Sequence, residues 1–180
     1  MNFAWAKPAL IAGLAALTLT ACGRTEAPEA SGVDKAAVEA ADKFMADNKK
    51  AEGVKTTPSG LQYKVITAVD DPNAVSPDSN DLVRVHYEGT LIDGTVFDSS
   101  FERGTPIVFS PEGVVDGWTE ALQMMKKGEE WLIYLPPELG YGEMGGGPVI
   151  PGNAALVFRL KLLDIAPVPG GGKGVGTAMG

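Results

Sequence analysis

Apolar and polar residues alternate along several short segments of the chain, which is the pattern of half-buried β-strands. In residues 82–88, for example, three apolar side chains alternate with charged or imidazole side chains. The segments that qualify as strands are residues 61–66, 82–88, 131–135 and 156–162. Asp93-Gly94 has the composition of a type I′ hairpin turn, since Gly readily takes the positive φ that this turn requires. These features predict an antiparallel sheet.

Two segments have helical periodicity instead. Residues 118–125 form one short helix, and the lysines that follow it suit the negative end of the helix dipole. A second helix is predicted at residues 33–50, where Ser31 and Asp34 have the spacing of a capping box and Gly53 ends the pattern. Its apolar stripe is expected to comprise Val33, Ala37, Ala40, Ala41 and Phe44. A sheet with a helix against it is an α+β domain.

Composition narrows the possible functions. A chain of 180 residues favours one domain with appendages, and 44% hydrophobic residues can supply its core. A net charge of −8 argues against nucleic-acid binding, which requires a basic face. One His and one Cys are too few for a structural zinc site or an internal disulfide, and no metal or cofactor is expected. The single histidine, His86, falls on the outward face of its strand, so we expect it to be solvated rather than catalytic.

The ends of the chain have the composition of appendages. Residues 1–21 combine a short basic start, an uncharged apolar run and small residues, which is typical of a secretory signal. Leu19-Thr20-Ala21-Cys22 is similar to the bacterial lipobox, in which the Cys is lipidated and becomes the first mature residue. The alternatives are an ordinary signal cleaved nearby and an uncleaved anchor. Residues 22–54 are predicted to form a tether and the short helix, and residues 167–180 a flexible Gly- and Pro-rich tail.

Candidate chemistry lies between residues 82 and 165. The candidates are aromatic and branched apolar side chains with one acid and two phenols, namely Tyr87, Phe97, Asp98, Phe109, Val114, Val115, Trp118, Tyr141, Ile150 and Phe158. They include no obvious nucleophile, base or metal ligand. An apolar set with a few polar points is typical of a small-ligand pocket.

Five segments in fixed order resemble one known family. They are residues 85–91 (VHYEGTL), 93–100 (DGTVFDSS), 114–118 (VVDGW), 136–142 (PPELGYG) and 150–158 (IPGNAALVF). Over residues 55–166 the chain resembles the FKBP-type peptidyl-prolyl cis-trans isomerases, in particular the exported bacterial members of the macrophage-infectivity-potentiator type. The resemblance implies a bent five-stranded half-barrel wrapped around one short helix. It also implies rotation of X-Pro bonds in unfolded or nascent exported polypeptides, and binding of macrolides of the tacrolimus and rapamycin type.

The resemblance also assigns roles to individual residues. The catalytic positions are Phe97, Asp98 and Tyr141. The substrate-binding positions are Tyr87, Arg103, Ile107, Phe109, Val114, Val115, Trp118, Val149, Ile150 and Phe158. Several glycines depart from the family pattern, namely Gly140, Gly152 and residues 145–147, and we expect them to loosen the loop over the site.

Three further expectations follow from the resemblance. Gly23 after the lipidated Cys22 favours an outer-membrane anchor that faces the periplasm of a bacterial envelope. Exported relatives often have a long helical dimerisation region, but here it is short, so docking of the helix on the domain, or a free helix, is favoured over a dimer arm and a monomer is expected. The alternative functions are an envelope chaperone that holds unfolded chains with little isomerase activity, and a structural lipoprotein with a vestigial domain.

Overall fold

The computed structural model describes residues 35–169, which all lie within one compact unit. The predicted signal segment, Cys22, the tether and most of the tail lie outside the described residues. The helices are α1 (Lys35–Asn48) and α2 (Asp116–Met124). The strands are β1 (Lys55–Thr56), β2 (Gln62–Thr67), β3 (Leu82–Leu91), β4 (Val96–Ser99), β5 (Ile107–Phe109), β6 (Glu130–Leu135) and β7 (Leu156–Ala166). Single 3₁₀ turns occupy Pro111–Gly113, Pro137–Leu139 and Gly142–Met144.

All strand pairs are antiparallel, and they form one sheet in the order β1-β2-β6-β7-β3-β4, with β5 also paired to β3. The longest pairing joins β3 to β7, from Leu82 opposite Ala166 to Leu91 opposite Leu156. The antiparallel sheet around a short helix confirms the predicted fold. Seven strands appear where five were expected, because β1 has only two residues and β5 only three, too short to show alternation in the sequence.

The core lies between α2 and the inner face of the sheet. On α2, Trp118, Ala121 and Leu122 are buried. The alternation predicted for β3 and β7 is confirmed, because Val83 and Val85 are buried while Arg84 between them is exposed, and four alternate residues of β7 are buried. Those four are Leu156, Phe158, Leu160 and Leu162. Burying a large aliphatic or aromatic side chain of this kind contributes about 1.5–3 kcal/mol.

Helix α1 packs on the outer face of the sheet, as the docking alternative predicted. The ring centroids of Phe44 and Tyr134 are 6.2 Å apart. The Gln62 side chain accepts a hydrogen bond from Asn48 Nδ2 at 2.9 Å and donates one to the Met45 carbonyl at 2.9 Å. One stripe position was wrong, since Ala40 is exposed while Ala41 is buried. The chain between residues 35 and 169 contains no helix with the length and apolar character needed to span a membrane.

The β3–β4 connection differs from the predicted turn type. The Leu91 N–H donates to the Thr95 carbonyl at 2.9 Å, and the Gly94 N–H donates to the Leu91 carbonyl at 3.0 Å. Gly94 has φ of +88°, but Asp93 does not have positive φ. A type I′ turn needs positive φ at both central residues, so the connection is a three-residue loop with glycine in the left-handed position. The Asp93 carboxylate instead accepts the Thr95 N–H at 2.8 Å, which holds this loop closed.

Candidate active site

A cavity of about 170 Å³ opens between α2 and the inner face of the sheet. Its walls are lined by Tyr87, Phe97, Asp98, Ile107, Val114, Val115, Trp118, Tyr141 and Phe158. All nine residues belong to the set predicted from the sequence, although they span more than seventy positions of the chain. The cavity is smaller than the 300–1,000 Å³ of a drug-sized pocket, so it suits a single ring or side chain.

Trp118 forms the floor of the cavity. It lies in the first turn of α2 and is 5% exposed. Its ring meets Tyr87 and Phe158 edge to face, with centroids 5.2 Å apart in both pairs. Edge-to-face contact brings the positive ring edge onto the negative ring face, which favours this geometry over parallel stacking. Phe109 lies 5.6 Å from Trp118 and supports the floor without lining the cavity.

Phe97 and Phe158 form one wall, and Gly89 makes their contact possible. Their ring centroids are 5.5 Å apart at an interplanar angle of 85°. A Cβ placed on Gly89 would lie 2.5 Å from the Phe97 ring and 2.7 Å from the Phe158 ring. Any side chain at this point of β3 would therefore displace the wall. Gly89 was not among the predicted site residues, although a glycine inside a strand is a known indicator of close approach.

The polar corner of the cavity consists of Asp98, Tyr87 and Arg103. The Tyr87 hydroxyl and the Arg103 guanidinium both donate to the Asp98 carboxylate, and Arg103 Nη2 lies 2.9 Å from the Tyr87 hydroxyl oxygen. Partial burial works to raise the pKa of Asp98, but the hydrogen bonds from Tyr87 and Arg103 outweigh it, and the pKa lies below its ordinary value. Burial, together with the hydrogen bond to Asp98, raises the pKa of Tyr87. Near neutral pH the corner therefore holds a carboxylate beside a neutral phenol.

Val115 lies at the entrance to α2, where its carbonyl accepts the Trp118 N–H at 2.9 Å. Its φ of −60° and ψ of 146° place it just before the helix begins. The preceding loop is anchored by the Glu112 N–H, which donates to the Ser79 carbonyl at 3.0 Å. Within residues 35–169, the Val115 N–H has no hydrogen-bond partner.

Tyr141 forms the opposite rim, and glycines pack tightly around it. A Cβ on Gly146 would lie 3.1 Å from the Tyr141 ring, and one on Gly145 would lie 2.3 Å from the Ile150 carbonyl oxygen. A Cβ on Gly152 would lie 2.1 Å from the Glu143 carbonyl oxygen. These contacts show a packing role for the three glycines that the sequence did not predict, and the expectation of a looser loop stays a prediction. The glycines allow backbone to approach backbone, and only Gly147 of residues 145–147 has open space around its missing Cβ.

In addition to Phe109, three other predicted substrate-binding residues do not line the cavity. Arg103 acts on it through Asp98. Ile150 is 8% exposed and pairs with Gly146 behind the rim, while Val149 is 48% exposed beside it. Their positions agree with a rim role, which stays a prediction.

His86 lies outside the cavity, on the outer face of β3, and it is partly exposed rather than fully solvated as expected. Its ring stacks on Phe101 with centroids 4.8 Å apart, and its Nδ1 lies 3.0 Å from Ser100 Oγ. The turn after β4 covers this part of the outer face, and alternation within β3 could not reveal that. In the described part of the chain, no three His, Cys, Asp or Glu side chains converge as metal ligands would.

Comparisons with known proteins agree with this geometry. Residues 73–163 match the family model described as FKBP-type peptidyl-prolyl cis-trans isomerase, and residues 15–65 match the domain amino terminal to it. A peptidyl-prolyl cis-trans isomerase Mip from Coxiella burnetii is 51% identical over 122 residues, which are 68% of this chain and 52% of that protein. A Legionella longbeachae protein named outer membrane protein MIP is 45% identical over 125 residues, or 69% and 52% of the two chains.

A solved peptidyl-prolyl cis-trans isomerase from Pseudomonas syringae has a TM-score of 0.69 and 35% identity, and the match covers 77% of this chain and 99% of that one. The chain spans about half the length of the curated relatives it matches. Because the family model covers half of the chain and the solved relative is matched almost completely, this chain belongs to the FKBP-type peptidyl-prolyl cis-trans isomerase family.

Proposed function

We propose that the chain catalyses cis–trans isomerisation of X-Pro peptide bonds in polypeptides. The observation that supports this most directly is the cavity itself, an apolar cup of ring size with polar groups at its edge. No Ser, Thr, Cys, Lys or His side chain lines it, and no three His, Cys, Asp or Glu side chains in residues 35–169 converge as metal ligands would. Rotation of an X-Pro bond breaks no covalent bond, so it needs none of these groups. A pocket for one five-membered ring beside hydrogen-bond donors is what the reaction requires.

The barrier to rotation comes from amide resonance and is about 18–20 kcal/mol. Resonance places partial negative charge on the oxygen and partial positive charge on the nitrogen, and twisting the bond reduces that separation. A site that excludes water solvates the planar, charge-separated amide poorly and therefore favours the twisted form. In this proposal the proline ring lies on Trp118, with Phe97 and Phe158 as one wall.

The polar groups orient the amide. The Val115 N–H and the Tyr141 hydroxyl, which are without hydrogen-bond partners in residues 35–169, would donate to substrate carbonyl oxygens. Asp98 remains a carboxylate because its pKa lies below the ordinary value. It would therefore accept a hydrogen bond from a substrate N–H, but it would not donate a proton.

The test measures kcat/KM on short X-Pro peptides and the rate of proline-limited refolding of a denatured protein. An isomerase accelerates both. A holdase with little isomerase activity would suppress aggregation of the unfolded protein without accelerating the peptide reaction, and that outcome would contradict the proposal. Macrolides of the tacrolimus and rapamycin type should compete with the peptide, because the proposal places both in the same cavity.

We also propose that residues 55–166 form the isomerase domain and that the protein is anchored to a bacterial envelope through lipid on Cys22, in the outer membrane facing the periplasm. The support is the lipobox-like segment in residues 19–22 and a relative whose name is outer membrane protein MIP. Cys22→Ser should release the protein from membranes or block its processing. Mass spectrometry that found an unmodified Cys22 thiol at the start of the mature protein would contradict lipidation.

A further inference from the structure

The β3–β4 ladder ends at the polar corner of the site. Glu88 pairs with Ser99 and Gly89 pairs with Asp98. At the next position the chain turns out of the sheet, although the Ser100 N–H still donates to the Tyr87 carbonyl at 2.9 Å. In a regular ladder the Ser100 carbonyl would in turn accept the Tyr87 N–H.

That carbonyl is used elsewhere. It accepts the Thr105 N–H at 3.3 Å, which closes the turn that carries Arg103 back toward Asp98. The Tyr87 N–H donates instead to the Ser100 hydroxyl oxygen at 2.7 Å. The side chain of Ser100 therefore takes the place of its own carbonyl as the acceptor of the Tyr87 N–H. The carbonyl is then free to close the turn, which begins at Ser100.

The Ser100 hydroxyl has a complete set of partners. Its oxygen accepts the Tyr87 N–H and lies 3.1 Å from the Tyr87 carbonyl oxygen and 3.0 Å from His86 Nδ1. A hydroxyl has one proton and two acceptor sites, so the Ser100 hydroxyl can donate either to the Tyr87 carbonyl or to His86 Nδ1. Ser100 is 0% exposed, and water cannot replace the hydroxyl if it is lost.

Resting on the proposed isomerase function, we infer that Ser100 is a positioning residue of the active site. Its hydroxyl holds β3 at Tyr87, whose phenol donates to Asp98, and its carbonyl holds the turn that brings Arg103 to the same carboxylate. One buried residue thus contacts both segments that donate to Asp98, the Tyr87 segment through its hydroxyl and the Arg103 turn through its main-chain carbonyl. Ser100 itself does not line the cavity, so it acts on substrate only through these residues.

The test compares Ser100→Ala with Ser99→Ala. Both serines are buried and both lose one hydroxyl, but the Ser99 hydroxyl binds the Glu88 carboxylate and the Glu102 N–H and does not contact Tyr87. Ser100→Ala leaves a buried N–H without a partner, and we expect kcat/KM to fall about tenfold. Ser99→Ala should stay within about threefold of the wild type on the same scale.

A second measurement separates positioning from simple loss of stability. The carboxyl carbon of Asp98 is followed by NMR as a function of pH. In Ser100→Ala the pKa of Asp98 should rise toward the ordinary value, because the hydroxyl that holds Tyr87 is lost and the Tyr87 phenol is displaced as a donor, while in Ser99→Ala the pKa should not move. In a Tyr87→Phe background, Ser100→Ala should cost less activity than it does in the wild type.

If Ser100→Ala lowers only the melting temperature and leaves kcat/KM and the Asp98 titration as in the wild type, the inference is wrong. Should the alanine variant fail to fold, Ser100→Cys keeps nearly the same volume with a weaker hydrogen-bonding group, and an unchanged Asp98 titration in that variant would overturn the inference equally. The titration needs no turnover. A wild type without isomerase activity would therefore refute the proposed function while still testing the position of Ser100.

Discussion

Truncation of Phe97 tests whether the apolar wall is the main source of catalysis. The ring is half-buried and packs edge to face on Phe158, at 5.5 Å between centroids. Full burial of a Phe side chain is worth about 1.5–3 kcal/mol, and a bound proline would cover the roughly one third or less that remains exposed, so the contact is worth at most about 0.5–1 kcal/mol. In the alanine variant, water would occupy the space of the ring and solvate the planar amide. This would stabilise the ground state by a comparable free energy. Phe97→Ala should then raise the barrier by about 1–2 kcal/mol, a loss of roughly 5- to 30-fold in kcat/KM.

The assay is cis–trans isomerisation of an X-Pro peptide with a large apolar residue before the proline, a preference that we infer from the rim formed by Val149 and Ile150. Phe97→Leu is the matched variant, since it keeps an apolar wall and should lose less activity than alanine. Val108→Ala is the control, because this residue is 61% exposed on β5 and does not line the cavity. Circular dichroism checks that each variant is folded. If Phe97→Ala retained activity within twofold while Asp98→Ala abolished it, the desolvation mechanism would be refuted in favour of a polar one.

Four smaller effects follow from the same geometry. Asp98→Ala and Tyr141→Phe should each lower kcat/KM by roughly two- to twelvefold, since each removes a polar contact worth about 0.5–1.5 kcal/mol; a loss beyond a hundredfold would contradict this. His86→Ala should lower the melting temperature but leave kcat/KM within about threefold, because Ser100 keeps both its backbone partners; abolished activity would point to proton transfer. The pKa of Asp98 is lower in the folded protein than in the unfolded chain, so its contribution to the free energy of unfolding is present above about pH 4 and is lost as pH falls further. Because Asp98 stays a carboxylate above that pH, kcat/KM should be flat from about pH 5 to 8. A bell-shaped profile in this range would contradict the role of Asp98. The fragment that lacks Cys22 should be monomeric by light scattering at micromolar concentration, because Phe44 packs on the sheet and Ala41 of α1 is buried; a stable dimer would be the contrary result.

The pattern of the sequence by itself determined which faces of the main strands are buried. The alternation in residues 82–88 and 156–162 predicted the inner faces of β3 and β7, because side chains of a strand point to opposite sides at every step. The ordered motifs also contain eight of the nine residues that line the cavity, and the ninth, Ile107, lies between two of the motifs and was assigned by the resemblance. A set of motifs fixes residue types at defined positions, so it can identify the residues of one site even when they lie far apart in the chain. The boundaries of α2 and the hairpin loop were predicted only to within one or two residues.

Close approach between separate segments was decided only by the tertiary structure. Gly89 allows two rings from different strands to meet, and Gly152 allows backbone to meet the Glu143 carbonyl, yet in the sequence both are simply glycines. Ser100 replaces a ladder carbonyl for Tyr87, thirteen residues earlier, and its hydroxyl lies within hydrogen-bond distance of His86. The periodicity of a sequence indicates which face of one helix or strand is exposed to solvent and which is buried. It does not contain the distance between backbones that are brought together by the packing of the whole sheet, and at this site that distance decides which hydroxyl binds which N–H.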